Sequence, residues 1–361
     1  MTIGPEGGTG AEQPEVGRPA RIAISIPITA WCKTDAFWLW CCAVVLAVVR
    51  WWPLVLGHGM VGGDLYTYFF PLKAWYADRL QHGELAFWNP LIGQGMPALG
   101  ESQTGVLYPP NLVLYGLLPL NAAYNASFIL HYILAFGFTG TYLRRLGLGL
   151  GATLLGALAF VYGWFPPRNC LEWAIVTGAW MPLVLWGVES YLVEPRARYR
   201  TVIVLAMAIQ LLAGHFNLAF ITLLTVFVYA TLRSISLGAC MERRIRPLLM
   251  LSCFVVLAFG VAAVQLLPSL ELKNRSQRSE ASFRESSLNY GNIPVWYLPQ
   301  AILPWEFYPY VEGYLAGRFG EYNTNKIEAH LYFGLLPLSL AVLAMIGSRR
   351  NPFVWIWLVL G

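Results

Sequence analysis

Long apolar runs recur along almost the whole chain, and this pattern restricts the fold more than any other feature. The runs cover residues 36–56, 122–143, 147–164, 174–193, 201–215, 217–233, 247–267, 329–347 and the incomplete 351–361. A helix needs about 20 apolar residues to cross a bilayer. The chain is 57% hydrophobic and 12% charged, whereas soluble domains are about 25% charged. The runs therefore predict an all-α, polytopic transmembrane helix bundle with about eight spans plus an incomplete ninth.

Basic residues at the ends of the runs predict the orientation. They precede the first run and follow the second, fourth, sixth and eighth. Because cytoplasmic loops carry the excess of Lys and Arg, we expect a cytoplasmic N-terminus and two long external loops, 57–121 and 268–328. The polar residues 1–34, rich in Gly and Pro, predict a disordered cytoplasmic tail. Residues 35–361 then form the transmembrane domain, and its short last run predicts truncation at the C-terminus.

Composition and motifs argue against several classes of ligand. The net charge of +5 comes from basic residues scattered at run ends, which predicts no nucleic-acid partner. The sequence has no Walker loop and no D-x-D motif, so we expect no soluble nucleotide. Candidate metal ligands outside the membrane are His58, Asp64, Glu101, His215 and His330. Their spacing does not support a divalent metal site, and no cofactor is predicted.

Asp64 is the strongest candidate for chemistry, because it lies in GHGMVGGDLYTYFFP just beyond the first run. A carboxylate at the mouth of a membrane span needs solvent, a partner or a function. There it can take a proton from an incoming hydroxyl, and Gly62 and Gly63 let a bulky substrate approach the backbone. The alternative is a cap for the next helix.

Arg275 and Arg278 follow the seventh run and suggest an anion site. One helical turn apart on a shared face, they could grip a phosphate with paired donors. The alternative is a pair of arginines that reach towards lipid headgroups. Gln265 within the apolar run suggests a helix facing the bundle interior. Glu271 lies between Gln265 and the two arginines in the sequence.

Three further polar groups lie at the expected outer ends of runs. His215 and Asn217, in GHFN, either bind a sugar hydroxyl or phosphate oxygen or form a polar hairpin turn. Arg168 and Glu172 are four residues apart and can pair with each other. His330 opens the eighth run, where a preceding acid suits the helix dipole.

The first external loop resembles that of the bacterial YfhO-type membrane proteins. The matching strings are Asp64 to Pro71, Trp88-Asn89-Pro90, Gly95-Met96-Pro97 and Tyr108-Pro109. Three later segments agree in order: GHFN, the stretch from Gln265 through Pro268 and Glu271 to Arg278, and YFGLLPLSLA. The resemblance covers roughly residues 36–345.

That family is similar to the GT-C glycosyltransferases, which implies a GT-C-like membrane enzyme. Such an enzyme moves a sugar from a polyprenyl-phosphate carrier to a hydroxyl of a glycan, lipid or protein acceptor, at the outer face of the bacterial cytoplasmic membrane. The resemblance implies that Asp64 is the general base of an inverting transfer. Arg275 and Arg278, then Arg168, are the candidates for binding the donor phosphate.

Candidates for substrate binding are polar and aromatic residues of the external segments. They are Tyr66, Trp88, Glu101, Tyr108, His215, Asn217, Gln265, Glu271 and His330. Two other functions stay open. One is a transporter or flippase for lipid-linked or small polar cargo, for which we expect buried charges and broken helices. The other is a non-catalytic scaffold for envelope assembly.

Overall fold

The computed structural model describes residues 33–238, 241–279, 293, 295–303, 327 and 330–360. Within these residues every regular secondary-structure element is helical, and a single isolated β-bridge pairs Asn89 with Met96. The all-α class is therefore confirmed. The expected tail 1–34, apart from its last two residues, and much of the second external loop lie outside the described residues, so these assignments stay predictions.

The α-helices follow each other with short connections. In chain order they are α1 (Lys33–Arg50), α2 (Trp52–Val55), α3 (Phe70–Gln81), α4 (Ala98–Glu101), α5 (Pro109–Leu117), α6 (Leu120–Arg145), α7 (Leu150–Trp164), α8 (Glu172–Gly178), α9 (Met181–Val193), α10 (Ala197–Leu212), α11 (Phe216–Ser236), α12 (Met241–Val261), α13 (Ala263–Arg275), α14 (Leu335–Gly347) and α15 (Pro352–Leu360). A π-helix, Leu65–Phe69, leads directly into α3.

Four helical segments in the described part of the chain are long and apolar enough to cross a membrane. They are Leu120–Arg145, Leu150–Arg168, Glu172–Val193 and Phe216–Ser236. A fifth results if Ile245–Val261 and Ala263–Arg275, which meet at a bend of 76°, count as one span. The expected count of about eight spans plus a ninth is therefore not confirmed.

Several of the expected spans are interrupted, charged or short. The first run breaks at Trp51, just before Pro53, and α1 includes Lys33, Asp35 and Arg50. Helix α10 has 16 residues and α14 has 13. Since an α-helix rises about 1.5 Å per residue, both are shorter than the roughly 30 Å of a hydrocarbon core.

Helix α6 lies at the centre of the bundle and packs against α1, α7 and α9. Two glycines allow α1 to approach it closely. A Cβ at Gly137 would overlap the ring of Trp40, and one at Gly140 would overlap the side chain of Leu39. Small residues at such contacts let helix backbones approach in membranes, so the α1–α6 pair depends on these two positions.

The basic ends of the helices are joined by ion pairs. Arg144 at the end of α6 contacts Asp35 at the start of α1, at 2.5 Å. Arg233 near the end of α11 contacts Glu189 of α9 at 2.9 Å, and the Tyr229 hydroxyl donates to the same carboxylate at 2.7 Å. These contacts join the basic ends of α6 and α11 to α1 and α9 at one end of the bundle.

Helix α3 packs its apolar face on protein. Leu72, Trp75 and Tyr76 are buried, and α3 contacts α5 and α6. Residues of α5 and α6 cover this face, and α3 becomes part of the bundle.

The seventh run does not form one straight helix. It breaks at Ala262, and Gln265 lies in the first turn of the bent helix α13, with no exposed surface. Helix α13 packs against α4, where Gly100 lies 3.1 Å from the Pro268 carbonyl oxygen, measured from an added Cβ. The bend thus carries α13 across the end of the bundle that holds the first loop.

Candidate functional site

Asp64 begins the π-helix Leu65–Phe69 and is exposed. Its side chain makes no capping hydrogen bond, and it has no hydrogen bond or ion pair with any described residue. Before it, Gly62 and Gly63 adopt φ of 147° and 49°, which glycine accepts without strain. The geometry does not support the cap alternative, and it leaves the carboxylate open to an incoming group.

The Asp64 segment lies against the connection between α7 and α8. A Cβ added at Gly63 would be 3.0 Å from the Cβ of Cys170. Cys170 follows Arg168 by two residues, so the carboxylate and this arginine belong to touching segments. The Thr67 hydroxyl also donates to the Gly63 carbonyl at 3.2 Å, which ties the turn to the π-helix.

Arg168 is buried and anchors two segments. Its guanidinium donates to the Trp164 carbonyl at 2.8 Å and to the His330 carbonyl at 2.6 Å. It also lies 4.3 Å from the ring centroid of Trp164, a favourable cation–π arrangement. The same contacts fix His330, which is 8% exposed and uses its backbone towards Arg168.

Glu172 pairs with Lys73, so the expected pair of Arg168 with Glu172 is wrong. The Lys73 ammonium lies 3.2 Å from the Glu172 carboxylate, and both residues are less than 5% exposed. Lys73 also donates to the Thr104 carbonyl at 2.8 Å. A buried charge needs this degree of pairing, and Lys73 provides it where Arg168 is occupied elsewhere.

Glu101 is half-buried, and both of its oxygens accept hydrogen bonds. The Tyr68 hydroxyl donates to Oε1 at 2.6 Å, while the backbone and hydroxyl of Thr104 each donate to Oε2 at 3.0 Å. Nearby, the Gln265 side-chain amide donates to the Leu99 carbonyl. Glu101 and Gln265 thus hold the α4 segment in place, and their polar groups face protein.

The turn between α10 and α11 contacts the same segment. The Ser102 hydroxyl donates to the Gly214 carbonyl at 2.8 Å. His215 stacks on Trp173, with ring centroids 3.7 Å apart, and accepts a hydrogen bond from the Leu218 N–H at the start of α11. Burial lowers the pKa of His215 to about 4, so the imidazole is neutral near pH 7. It can orient a polar group there but adds no positive charge for a phosphate.

Arg275 and Arg278 do not share a helix face. Helix α13 ends at Arg275, and Arg278 follows in a separate 3₁₀ turn, Gln277–Ser279. The side chain of Arg278 lies outside the described residues. Arg275 pairs with Glu271 at 2.9 Å, and the two side chains are 78% and 61% exposed. The expected shared helix face is therefore wrong, while the donors of Arg275 stay accessible and the paired phosphate grip stays a prediction.

The remaining substrate candidates differ in access. Tyr66, Trp88 and Asn217 are exposed. Tyr108 is fully buried, and its hydroxyl is engaged by His131 at 2.6 Å and by the Trp180 indole N–H at 2.8 Å. In this structure Tyr108 has no surface accessible to a substrate, because the residue fills the core between α5, α6 and the α8–α9 connection.

The contacts gather Asp64, Glu101, Arg168 and the His215 turn at one end of the bundle, with α13 packed beside them. No group of three His, Cys, Asp or Glu side chains that could hold a metal ion occurs in the part of the chain that the structure describes. The family described as bacterial membrane protein YfhO matches residues 58–349. The chain belongs to the YfhO family. No curated protein and no solved structure matches this YfhO protein.

Sequence reasoning missed two features of this YfhO-family site. Lys73 lies on the buried face of α3 beside Tyr76, and a lysine within an otherwise apolar helix face was the available signal. Arg50 ends α1, is exposed, and lies 4.4 Å from the Trp51 ring centroid. It makes no ion pair with a described residue, so it is an accessible cation at the end of α1.

Proposed function

We propose that this YfhO-family chain is a membrane glycosyltransferase. It moves a sugar from a polyprenyl-phosphate carrier to a hydroxyl acceptor, a glycan, lipid or protein, at the outer face of the bacterial cytoplasmic membrane. The N-terminus is cytoplasmic in this proposal. The observation that carries it is Asp64, which is exposed and free of a capping role, in a segment that touches the one bearing Arg168.

The proposed chemistry needs one base and one stabilised leaving group. The acceptor hydroxyl attacks the anomeric carbon as Asp64 takes its proton. The bond between the anomeric carbon and the phosphate oxygen breaks, and its electron pair stays on that oxygen. The products are the glycosylated acceptor, with inverted configuration, and the polyprenyl phosphate. No oxidant, reductant or nucleotide is required.

Negative charge builds up on the leaving phosphate as the bond breaks, and positively charged side chains stabilise it. Arg168 lies in the segment that touches the Gly63–Asp64 turn but donates to two carbonyls, so it contributes mainly through its charge. Arg275 is accessible and loses little by leaving the exposed Glu271, because such pairs contribute little to stability. Arg278 remains its proposed partner, and Arg50 supplies a further cation.

Exposed aromatic residues support a carbohydrate substrate. Tyr66 follows Asp64 by two residues in the π-helix, and Trp88 is exposed in the same loop. Flat aromatic faces can stack on sugar rings, and the two residues are the best placed of the proposed candidates. Asn217 is exposed at the start of α11 and can add a hydrogen bond to a hydroxyl.

A transporter or flippase is the second candidate, because two observations favour it. The Lys73–Glu172 pair is buried, and α12 and α13 meet at a 76° bend. Buried charges and interrupted helices are features of transporters. The cargo would be a lipid-linked or small polar molecule.

Proteoliposomes containing the purified protein separate the two candidates. They receive a polyprenyl-phosphate sugar with a radiolabelled sugar and a mixture of glycan, glycolipid and peptide acceptors. A transferase produces a covalently labelled acceptor and releases polyprenyl phosphate. A flippase changes the leaflet in which the labelled lipid is found and leaves it intact. Leaflet exchange without covalent transfer would contradict the proposed function.

A further inference from the structure

A continuous set of polar contacts connects the bundle interior to the π-helix. Glu172 pairs with Lys73 at 3.2 Å, and Lys73 donates to the Thr104 carbonyl at 2.8 Å. Thr104 donates to Glu101 through its backbone and its hydroxyl, each at 3.0 Å. Tyr68 donates to the other oxygen of Glu101 at 2.6 Å. Four segments, α8, α3, the α4 loop and the π-helix, are joined by these contacts.

The contacts from Glu172 through Lys73, Thr104 and Glu101 to Tyr68 form a relay. Its last member, Tyr68, lies close in sequence to the proposed base, Asp64. Tyr68 lies in the π-helix Leu65–Phe69, whose first turn begins at Asp64. Single-turn π-helices occur frequently at functional sites. The same turn is held by the contact from Thr67 to the Gly63 carbonyl. The hydrogen bond of Tyr68 therefore ties the π-helix that follows Asp64 to Glu101.

The inner end of the relay is the Lys73–Glu172 pair, and burial restricts the movement of both side chains. Lys73 is 2% exposed and Glu172 is 4% exposed. An apolar pair of similar size often stabilises a fold as well as a buried ion pair does. The Lys73–Glu172 pair does more than fill space, because the Lys73 ammonium also fixes the carbonyl of Thr104, which in turn orients Glu101.

We propose that Tyr68 and Glu101 are positioning residues for Asp64, with Thr104 and the Lys73–Glu172 pair as their anchor. They do not contact the reacting atoms. They hold the Gly63–Asp64 turn against the connection that contains Cys170. The role of Asp64 in this proposal rests on the proposed glycosyl transfer, whereas the mechanical role of the relay does not.

A thiol-labelling experiment tests the mechanical role without sugar transfer. Cys170 keeps a thiol and lies against Gly63. The purified full chain is treated briefly with iodoacetamide, and the alkylated fraction of the Cys170 peptide is measured by mass spectrometry. We expect Tyr68→Phe and Glu101→Gln to raise the labelling rate of Cys170 several-fold. Tyr191→Phe, a half-buried tyrosine without a hydrogen-bonded hydroxyl among the described contacts, serves as the control and leaves the rate unchanged. Equal rates in all variants would overturn the proposal.

Transfer kinetics test the consequence for the base. Misplacing a catalytic group by about 1 Å can cost on the order of 100-fold in rate. We expect Tyr68→Phe and Glu101→Gln each to lower kcat about tenfold or more, with an unchanged KM for the donor. Because the two residues act as a unit, the double variant loses no more than the worse single variant. Additive losses, or a rise in KM with an unchanged kcat, would contradict positioning.

The two failures can be told apart. A wild-type protein that transfers no sugar contradicts the proposed function, while the Cys170 labelling still decides whether the relay holds the turn. The melting temperature of each variant is compared with that of Tyr191→Phe. A large fall specific to Glu101→Gln excludes that variant from the kinetic comparison, and Tyr68→Phe then decides the result.

Discussion

Asp64 and Arg275 are both exposed charged residues, but their surroundings differ. Asp64 has no partner among the described residues, while Arg275 shares an exposed ion pair with Glu271. An exposed pair on one helix adds little to stability and is screened by salt. Arg275 therefore loses little stabilisation when a phosphate replaces the Glu271 carboxylate as its ion-pair partner, and this suits reversible ligand binding.

We predict that Arg275→Ala weakens binding of a short-chain polyprenyl phosphate about tenfold or more, because a charge-assisted contact is lost. Thermal stability should stay unchanged. Thermophoresis of the detergent-solubilised protein measures the affinity. Arg196→Ala is the matched control, since Arg196 is also exposed and pairs with Glu194 at 2.9 Å. Equal affinities for wild type and Arg275→Ala would remove this residue from the phosphate site.

His215 makes the stability of the fold depend on pH. Burial against Trp173 lowers its pKa to about 4, from an ordinary value of 6.5. Between these values the unfolded chain binds the proton more readily than the folded chain. The contribution of His215 is therefore fully present above about pH 6.5 and is lost as the pH falls towards 4.

We predict that His215→Gln reduces the loss of stability on acidification. Between about pH 7 and pH 5 the wild type should lose on the order of 1–2 kcal/mol more than the variant. Denaturant unfolding in detergent at the two pH values measures this difference. An identical pH dependence in wild type and variant would show that His215 remains able to take a proton in the folded state.

At the level of elements, the α4 loop and the α10–α11 turn meet through backbone. Gly214 has φ of 92°, and a Cβ there would overlap the carbonyl of Ser102. The Ser102 hydroxyl donates to the Gly214 carbonyl across the same contact. This joint holds the segment of Glu101 against the turn of His215, so it helps to define the candidate site.

We predict that Gly214→Ala destabilises the protein by about 2 kcal/mol or more, from an unfavourable φ and a backbone clash. Gly238→Ala is the matched control, because Gly238 has φ of 64° but nothing within 4 Å of an added Cβ. It should lose only about 1 kcal/mol. Melting temperatures of the two variants give the comparison. Equal losses would show that the contact with Ser102 adds nothing.

Local sequence signals mark several elements. Pro71 lies at the start of α3, Pro109 begins α5, and Gly214 precedes α11. These signals act over a few residues, so a single sequence contains them.

Local sequence signals do not predict the break at Ala262 or the pairing of Lys73 with Glu172. Both depend on packing between segments that are distant along the chain: α13 on α4, and α3 on α8. A run of apolar residues looks the same whether it crosses straight or bends. For a charge in such a run, the sequence predicts the need for a partner but not its identity.

For the candidate site, sequence position alone predicts that Asp64 lies at the mouth of the first run. The structure leaves its side chain exposed and without a cap, and its role as the base stays a prediction. Tyr108 and the shared face of Arg275 with Arg278 were not placed as expected. The core position of Tyr108 depends on His131 and Trp180 from other helices, which its sequence neighbours do not reveal.

The whole molecule has two ends of different character. At one end, the ion pairs of Arg144 and Arg233 satisfy the charges of helix termini. At the other, Asp64 is exposed beside segments from the first loop, the α7–α8 connection and the α10–α11 turn. An exposed carboxylate among converging loops suits binding or chemistry, since loops commonly carry functional residues.

The rate of sugar transfer by Asp64→Asn tests the central claim most directly. Asparagine keeps the size of the side chain but cannot take the proton. The variant should transfer sugar from the polyprenyl-phosphate donor at least about 100-fold more slowly than wild type, the usual contribution of a general base, with an unchanged donor affinity. Asp78→Asn, which alters an exposed aspartate on α3 paired with Arg79, should retain the wild-type rate. A transfer rate for Asp64→Asn within about twofold of wild type would contradict the assignment of Asp64 as the base.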